Sequence, residues 1–166
     1  MALAFIGLGS NLGDGRHNLR QAWGRLRKIS RVMPLCLSSP YLSEPVGMAS
    51  AQWFTNAVGL LETKLSPEAL LADLLQVERE LGRDRALGAN RVIDLDLLYY
   101  DDLCQRSEFL TLPHPELANR LFVLAPLEEL APDHLHPLLH LNSGQLRQRL
   151  AGSGQGLKKI SWGEGA

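Results

Sequence analysis

The run Arg91-Val92-Ile93-Asp94-Leu95-Asp96-Leu97-Leu98-Tyr99-Tyr100 constrains the fold more than any other stretch of the chain. It is apolar, β-branched and aromatic, too short and too interrupted to span a membrane, and it reads as a buried strand. Side chains alternate across a strand, so Asp94 and Asp96 share one face. Two carboxylates side by side on an apolar strand repel each other and are costly to desolvate. One resolution is a pair of cations between them. Hard oxygen ligands suit Mg2+, which takes one or two carboxylates and completes its shell with substrate phosphates and water. Strand positions i and i+2 lie roughly 6.5 Å apart along the backbone, and their carboxylates can share a site whose ions are about 3.5–4 Å apart. The other resolution is an edge strand with both side chains in water.

The rest of the chain supplies strands and helices around this one. Ala2 to Leu8 reads as a first strand, followed by the turn-rich Gly7-Leu8-Gly9-Ser10-Asn11-Leu12-Gly13-Asp14. A helix is expected to about Ser30, with Leu19, Trp23, Leu26 and Ile29 at helical spacing and Arg16, Arg20, Arg27 and Arg31 on a solvated face. Val32 to Tyr41 and Trp53 to Thr63 read as strands. Ser66-Pro67-Glu68 is a helix start: a capping hydroxyl, proline at the first helical position and an acid in the first turn. Leu70, Leu74, Val77 and Leu81 form that helix's buried stripe, and Gly82 can end it. Phe109 to Leu112 looks extended, Phe122 to Leu130 suggests a short helix, and the Gly-rich tail from Ser143 reads as weakly structured. The order β-α-β-β-α-β is the signature of a ferredoxin-like α+β sandwich, an antiparallel sheet with helices on one face. With 166 residues the chain suits a single domain, 1–166.

A net charge of −1 disfavours nucleic acid or an anionic membrane as the main partner, so phosphate chemistry must use a local basic cluster. Cys36 and Cys104 lack metal-type spacing and lie in apolar runs, where a buried free thiol is the default; a reducing cytoplasm fits. The N-terminus lacks a basic region before its apolar run, so no signal peptide or transmembrane segment is expected.

Arg83, Arg85 and Arg91 flank the acidic pair. Guanidinium groups bind phosphate oxygens in bidentate fashion while carboxylates hold metals, which is the arrangement polyphosphate needs; a charged surface loop is the alternative. Thr111-Leu112-Pro113-His114-Pro115, then Arg120 and Phe122, supplies further candidates, although a lone histidine is usually structural. Ser43 to Gly47, with Phe54 and Asn56, could form a pocket for an amide-like heterocycle edge between stacking faces, or could be ordinary packing. His134, His136 and His140 lack a fourth ligand for zinc. The glycine-rich turn at 7–13 has neither a Gly-Lys-Ser/Thr ending nor a dinucleotide fingerprint.

Taken in order, these pieces resemble the 6-hydroxymethyl-7,8-dihydropterin pyrophosphokinase family of the folate pathway. The resemblance runs from Phe5 to about Pro132. It is carried by Gly-Leu-Gly-Ser-Asn-Leu-Gly at 7–13, Ser38-Ser39-Pro40-Tyr41, Phe54-Thr55-Asn56-Ala57 and Glu78. It continues with Gly82-Arg83-Asp84-Arg85, Arg91-Val92-Ile93-Asp94-Leu95-Asp96, Leu112-Pro113-His114-Pro115 and the segment Arg120 to Leu127. It implies pyrophosphoryl transfer from ATP to the pterin hydroxymethyl oxygen, with release of AMP. A cytoplasmic monomer with no nucleic-acid or membrane partner is expected. By similarity, Asp94 and Asp96 hold two Mg2+ ions, and Arg83, Arg91, His114 and Arg120 bind the phosphates. Arg85 closes a mobile loop, and Glu78, Leu97 and Thr111 contact the nucleotide. Ser43, Val46 (through its backbone) and Asn56 hydrogen-bond the pterin, and Phe54 and Phe122 sandwich it. The resemblance also implies catalytic roles for Arg83, Arg91 and Asp96. The chain departs from many members at Ala86-Leu87-Gly88-Ala89-Asn90, a loop without their tryptophan and proline. Leu75, Phe109 and Pro115 also replace polar, arginine and aromatic residues found in some members. A slow or non-catalytic paralogue that binds nucleotide or pterin is the alternative reading.

Overall fold

The structure is a computed structural model that describes residues 1–45, 52–82 and 90–163. Five segments build the main sheet's centre: β1 (Ala2–Ser10), β2 (Val32–Leu37), β3 (Tyr41–Ser43), β4 (Phe54–Thr63) and β5 (Asp94–Tyr100). Between them lie α1 (Gly15–Leu26) and α2 (Pro67–Glu80). After β5 come the short ribbon β6 (Gln105–Arg106) and β7 (Thr111–Leu112), a 3-10 turn (Leu117–Asn119), α3 (Leu121–Leu130), α4 (Ser143–Arg149) and β8 (Leu157–Lys159). The sheet order is β5-β1-β4-β3-β8, with β2 also paired to β4, and every pairing is antiparallel. This is the ferredoxin-like arrangement, with its second strand split into β2 and β3.

The local signals act as their chemistry dictates. Ser66 caps α2 by accepting the N–H of Ala69 at 3.2 Å, Pro67 opens it, and Gly82 follows it at φ 99. Asp14 does the same for α1 by accepting from His17 at 3.2 Å. Alternation in β1 sends Ala4, Ile6 and Leu8 to a core shared with Leu19, Trp23 and Leu26 of α1 and Leu70, Leu74 and Val77 of α2. Phe5, Val58 and Leu98 lie in a second core with Val123, Leu124 and Leu127 of α3 and Leu146 of α4.

Five expectations are corrected here. Helices cover both faces of the sheet, because β1, β4 and β5 are apolar on both sides. The strand expected from Val32 to Tyr41 is broken at Ser38-Ser39-Pro40, and the helix expected to about Ser30 ends at Leu26. Cys36 and Cys104 are exposed rather than buried: Cys36 sits on a strand that pairs on one side only, and Cys104 in the turn before β6. The tail from Ser143 is ordered. Asn142 forms a reciprocal capping box with Gln145, and β8 adds a strand to the sheet.

The histidines of the segment before α4 are structural groups. His134 lies 4.5 Å from the Tyr99 ring and 5.2 Å from that of Phe5, centroid to centroid. His136 Nδ1 accepts the backbone N–H groups of Leu138 at 3.2 Å and Leu139 at 3.1 Å. Burial holds both imidazoles below their ordinary range, and the neighbouring His134 and His140 push His136 further in the same direction. The unfolded chain takes protons near an ordinary pKa of about 6.5 that the folded chain refuses. The stability these groups contribute is therefore complete at neutral pH and is lost as pH falls below that value. His136→Asn keeps an acceptor for the two N–H groups but does not titrate. It should flatten the fall in melting temperature between about pH 7 and 5. An unchanged slope would remove His136 from this account.

Candidate active site

A cavity of about 360 Å³ opens on the α3 face of the sheet, at the end where β1 leads into its glycine-rich turn. Its lining includes Gly7, Gly9, Ser43, Glu44, Phe54, Asn56, Arg91, Asp94, Asp96, His114, Arg120 and Phe122. Strand register explains why these residues meet. Gly9 stands between Asp94 of β5 and Asn56 of β4, and Gly7 between Asp96 and Val58. The two missing side chains leave a floor with carboxylates on one flank and the Asn56 amide on the other. A Cβ on Gly9 would already lie 3.1 Å from Asn56 Oδ1.

The carboxylate flank lies on β5, which is an edge strand, as the alternative reading had it, yet both aspartates are half-buried in the cavity. Asp94 pairs with Arg91 at 3.2 Å. Asp96 has its carboxyl pushed up to about 7, by burial first and then by the charge of Asp94, while Arg120 and Arg91 pull it down. Arg91 and Arg120 offset the negative charge of the pair only in part, which leaves a deficit of positive charge. An all-oxygen donor set with that deficit suits a hard divalent cation.

Arg91 precedes β5 and is held by Asn11. The Asn11 side-chain oxygen accepts the Arg91 N–H at 2.7 Å, the Asn11 N–H donates to the Arg91 carbonyl at 3.1 Å, and its amide donates to Asn90 at 2.9 Å. Asn11 is a positioning residue that the sequence reading did not single out; its place inside the glycine-rich turn, directly after β1, was the available signal. Glu78 is buried in α2 and accepts the N–H of Leu95, between the two aspartates, at 2.7 Å. His114 donates its backbone N–H to Leu98 at 2.9 Å, and its Nδ1 accepts from Glu116 at 3.1 Å. That leaves Nε2–H as the ring's remaining donor. Burial, then the charge of Arg120, keeps this imidazole below its ordinary range.

The opposite flank is aromatic and amide-bearing. Asn56 donates from Nδ2 to Ser43 Oγ at 2.7 Å, and both residues are buried. Arg91 lies over the Phe54 ring at 5.9 Å and Arg120 over the Phe122 ring at 5.6 Å. Each aromatic wall therefore has a guanidinium at its border with the acidic flank.

Three expected residues, Glu78, Leu97 and Thr111, are not part of the cavity lining. The Leu97 side chain is in the core on the other face, paired with Ile6, so it can offer only backbone groups. Leu95, two residues earlier, turns its N–H away from β1 to Glu78; alternation turns the backbone of Leu97 to the same open edge. Thr111 pairs with Arg106 in the small ribbon. Of the departures, Phe109 is 81% exposed and Leu75 41% exposed. Arg83, Arg85 and Val46, and the loop from 85 to 89, lie outside the described residues.

Residues 5–132 match the model of the family described as 7,8-dihydro-6-hydroxymethylpterin-pyrophosphokinase, HPPK. The chain belongs to that family. A 2-amino-4-hydroxy-6-hydroxymethyldihydropteridine pyrophosphokinase of Haemophilus influenzae is 39% identical over 138 residues, 82% of this HPPK chain and 86% of that protein. One from Methylorubrum extorquens is 40% identical, over 80% of this chain and 85% of that protein. The Folic acid synthesis protein fol1 of Schizosaccharomyces pombe is also 40% identical, over 83% of this chain. The chain spans only 19% of that protein's length. Among solved structures, a Plasmodium falciparum HPPK-DHPS with pteroate superposes with a TM-score of 0.75 at 12% identity, covering 91% of this chain and 44% of that one. At that identity the likeness establishes the fold alone.

Proposed function

We propose that this HPPK chain transfers the pyrophosphoryl unit of ATP to the hydroxymethyl oxygen of 6-hydroxymethyl-7,8-dihydropterin, releasing AMP, as a step of folate synthesis. The observation that carries the reading is that one cavity holds both sets of groups. Asp94, Asp96, Arg91, Arg120 and His114 border one part of it, and Phe54, Phe122, Asn56 and Ser43 the other. A flat heterocycle between two rings, with its polar edge on Asn56 and Ser43, points its substituent at the charged part.

In this reading the hydroxymethyl oxygen attacks the β-phosphorus, the bond from that phosphorus to the oxygen bridging the α-phosphate breaks, and AMP leaves with the electron pair. Asp96 stands where it can accept the hydroxyl proton, although a strong base is not required. Asp94 and Asp96 would hold two Mg2+ ions. When bound, these ions neutralise the phosphate oxygens and stabilise charge in transfer. Arg91, Arg120 and the Nε2–H of His114 bind remaining phosphate oxygens, with Arg83 and Arg85 joining them from the loop after α2. The backbone edge at Leu97, with Thr111 and Glu78 beside it, receives the nucleotide. Catalysis is then mostly positioning and electrostatics. We take residues 1–166 as one catalytic unit, monomeric and cytoplasmic, with no nucleic acid or membrane partner. The described residues contain no helix long and apolar enough to cross a membrane.

A coupled assay for AMP with the reduced hydroxymethylpterin and MgATP tests the reading. Pterin-dependent AMP release supports it. Tight binding of both ligands without AMP would instead make the chain a non-catalytic paralogue.

A further inference from the structure

We propose that the C-terminal strand β8 and Trp162 are positioning elements for the Ser43–Asn56 wall of the cavity, and so set affinity for the heterocyclic substrate. The inference rests on the proposed pterin subsite. It concerns residues that lie beyond the stretch 5–132 matched by the family model.

β3 is only three residues long, and Ser43 is its last residue. A strand that short, with one neighbour, has little to fix it. β8 supplies a second neighbour, pairing Tyr41 with Lys159, Leu42 with Lys158 and Ser43 with Leu157. Beyond Ser43 the pairing continues: the Glu44 N–H donates to the Gly156 carbonyl at 3.3 Å. Glu44 borders the cavity, and its carboxylate lies directly against the Cα of Gly156, in space that a Cβ there would occupy. Gly156 is thus what allows Glu44 to rest where it does.

The far end of β8 is latched. Ile160 N–H donates to the Pro40 carbonyl at 3.0 Å, and Trp162 Nε1–H to the Ser38 carbonyl at 3.1 Å. The Trp162 ring packs on the first core, Arg20 lies over it at 5.6 Å, and the Arg20 guanidinium donates to the Trp162 carbonyl at 3.0 Å. Ser38 in turn takes the N–H of Val58 on its Oγ at 3.0 Å and gives its own N–H to the Val58 carbonyl at 2.9 Å. Trp162 therefore grips the break between β2 and β3 at the point where that break is tied to β4, two residues from Asn56. A second tie comes from α3, whose Glu129 accepts from Ser39 N–H at 2.9 Å and Ser39 Oγ at 2.6 Å and pairs with Lys159 at 3.5 Å. None of these contacts reaches Asp94, Asp96 or His114. The strap should act on one flank of the cavity only.

The test uses the full chain with Trp162→Ala, Trp162→Phe and Gly156→Ala. Calorimetry measures 6-hydroxymethylpterin and, separately, Mg2+ with a non-hydrolysable ATP analogue. Trp162→Ala should weaken pterin binding about 10-fold, a loss typical of one or two hydrogen bonds, and leave the nucleotide unchanged. Trp162→Phe, which retains the ring contacts, should recover part of that loss. Gly156→Ala should displace Glu44 and raise KM for pterin more than it lowers kcat. Hydrogen exchange gives a readout free of any substrate: amides of 41–44 and 56–58 should exchange faster in Trp162→Ala, while those of 94–98 stay as in the wild type. Uniformly faster exchange, or equal losses for pterin and nucleotide, would reduce the strap to general stability and overturn the proposal. Wild-type protein that binds no pterin would overturn the subsite reading instead, and the exchange pattern would still report whether the strap holds the wall.

Discussion

Asp96→Asn should lower pterin-dependent AMP release by on the order of 10³-fold, the scale of several kcal/mol of lost charge stabilisation. It should leave the protein folded and, without Mg2+, at least as stable as the wild type. The two effects share one cause. Asp96 faces Asp94 in a half-buried cavity, and burial together with that like charge makes its ionised form unfavourable. Asparagine has nearly the same shape and no charge, so the repulsion disappears. After allowance for solvent screening the relief is ~1 kcal/mol, or roughly 2–4 °C in melting temperature for a chain of this size. In the proposed reading, the group that weakens the metal-free fold is the one that a cation and a polyphosphate need. Calorimetric titration of Mg2+ with the ATP analogue should show the corresponding loss of affinity. Near-normal AMP release by the folded variant, or a clear fall in its metal-free melting temperature, would sink this account of the acidic flank.

What could be read from the sequence divides by the range of the interactions involved. Ser66-Pro67-Glu68 announces α2 because capping is local: the Ser66 hydroxyl needs only the N–H of Ala69. Asp94 and Asp96 share a face because strand geometry fixes alternation wherever the strand lies. The clamp of Asn11 on Arg91 spans 80 residues, and no periodicity in either segment encodes it. β8 is a similar case. Leu157-Lys158-Lys159 has no strand pattern of its own and becomes a strand because β3 offers an open edge. The second layer of helices was legible in principle. Phe5 and Ile6 are adjacent, both apolar, and face opposite ways, as do Leu97 and Leu98, and a strand apolar on both faces must be covered on both. Cys36 was misjudged by the same kind of rule applied too widely. Met33, Leu35 and Cys36 sit in an apolar run, but β2 pairs only with β4, and these side chains are exposed. The resemblance brought candidate residues together that composition alone could not. Register then supplied the reason for Gly7 and Gly9, which are the floor rather than a phosphate loop.

Asn56→Ala should weaken pterin binding by about 1–3 kcal/mol, roughly 5- to 150-fold, and leave the MgATP-analogue affinity within a factor of about two. The hydrogen bonding of Asn56 makes it the polar group of the slot that has capacity to spare. One N–H of its amide is committed to Ser43 Oγ at 2.7 Å, which fixes the amide plane. Its Oδ1 then stands over Gly9, where the missing side chain leaves the acceptor open to the cavity. A buried acceptor and a remaining N–H, side by side in the cavity that Phe54 and Phe122 also line, match the alternating donors and acceptors of a pterin edge. Alanine removes both and leaves the heterocycle's own polar atoms without partners, which costs more than the loss of an exposed hydrogen bond. Ser43→Ala should cost less, because Asn56 would keep both of its groups while the site loses one hydroxyl and the anchor it gives to the amide. The charged flank should be indifferent to both changes. Asp94 pairs with Arg91, Asn11 holds Arg91, and the His114 N–H bonds to Leu98 of β5; among the described residues none of these bonds reaches Asn56 or Ser43. The ordering Asn56→Ala, then Ser43→Ala, then wild type in pterin affinity is the expected result. Equal losses for pterin and nucleotide, or a larger loss in Ser43→Ala, would mean that the heterocycle does not lie against Asn56.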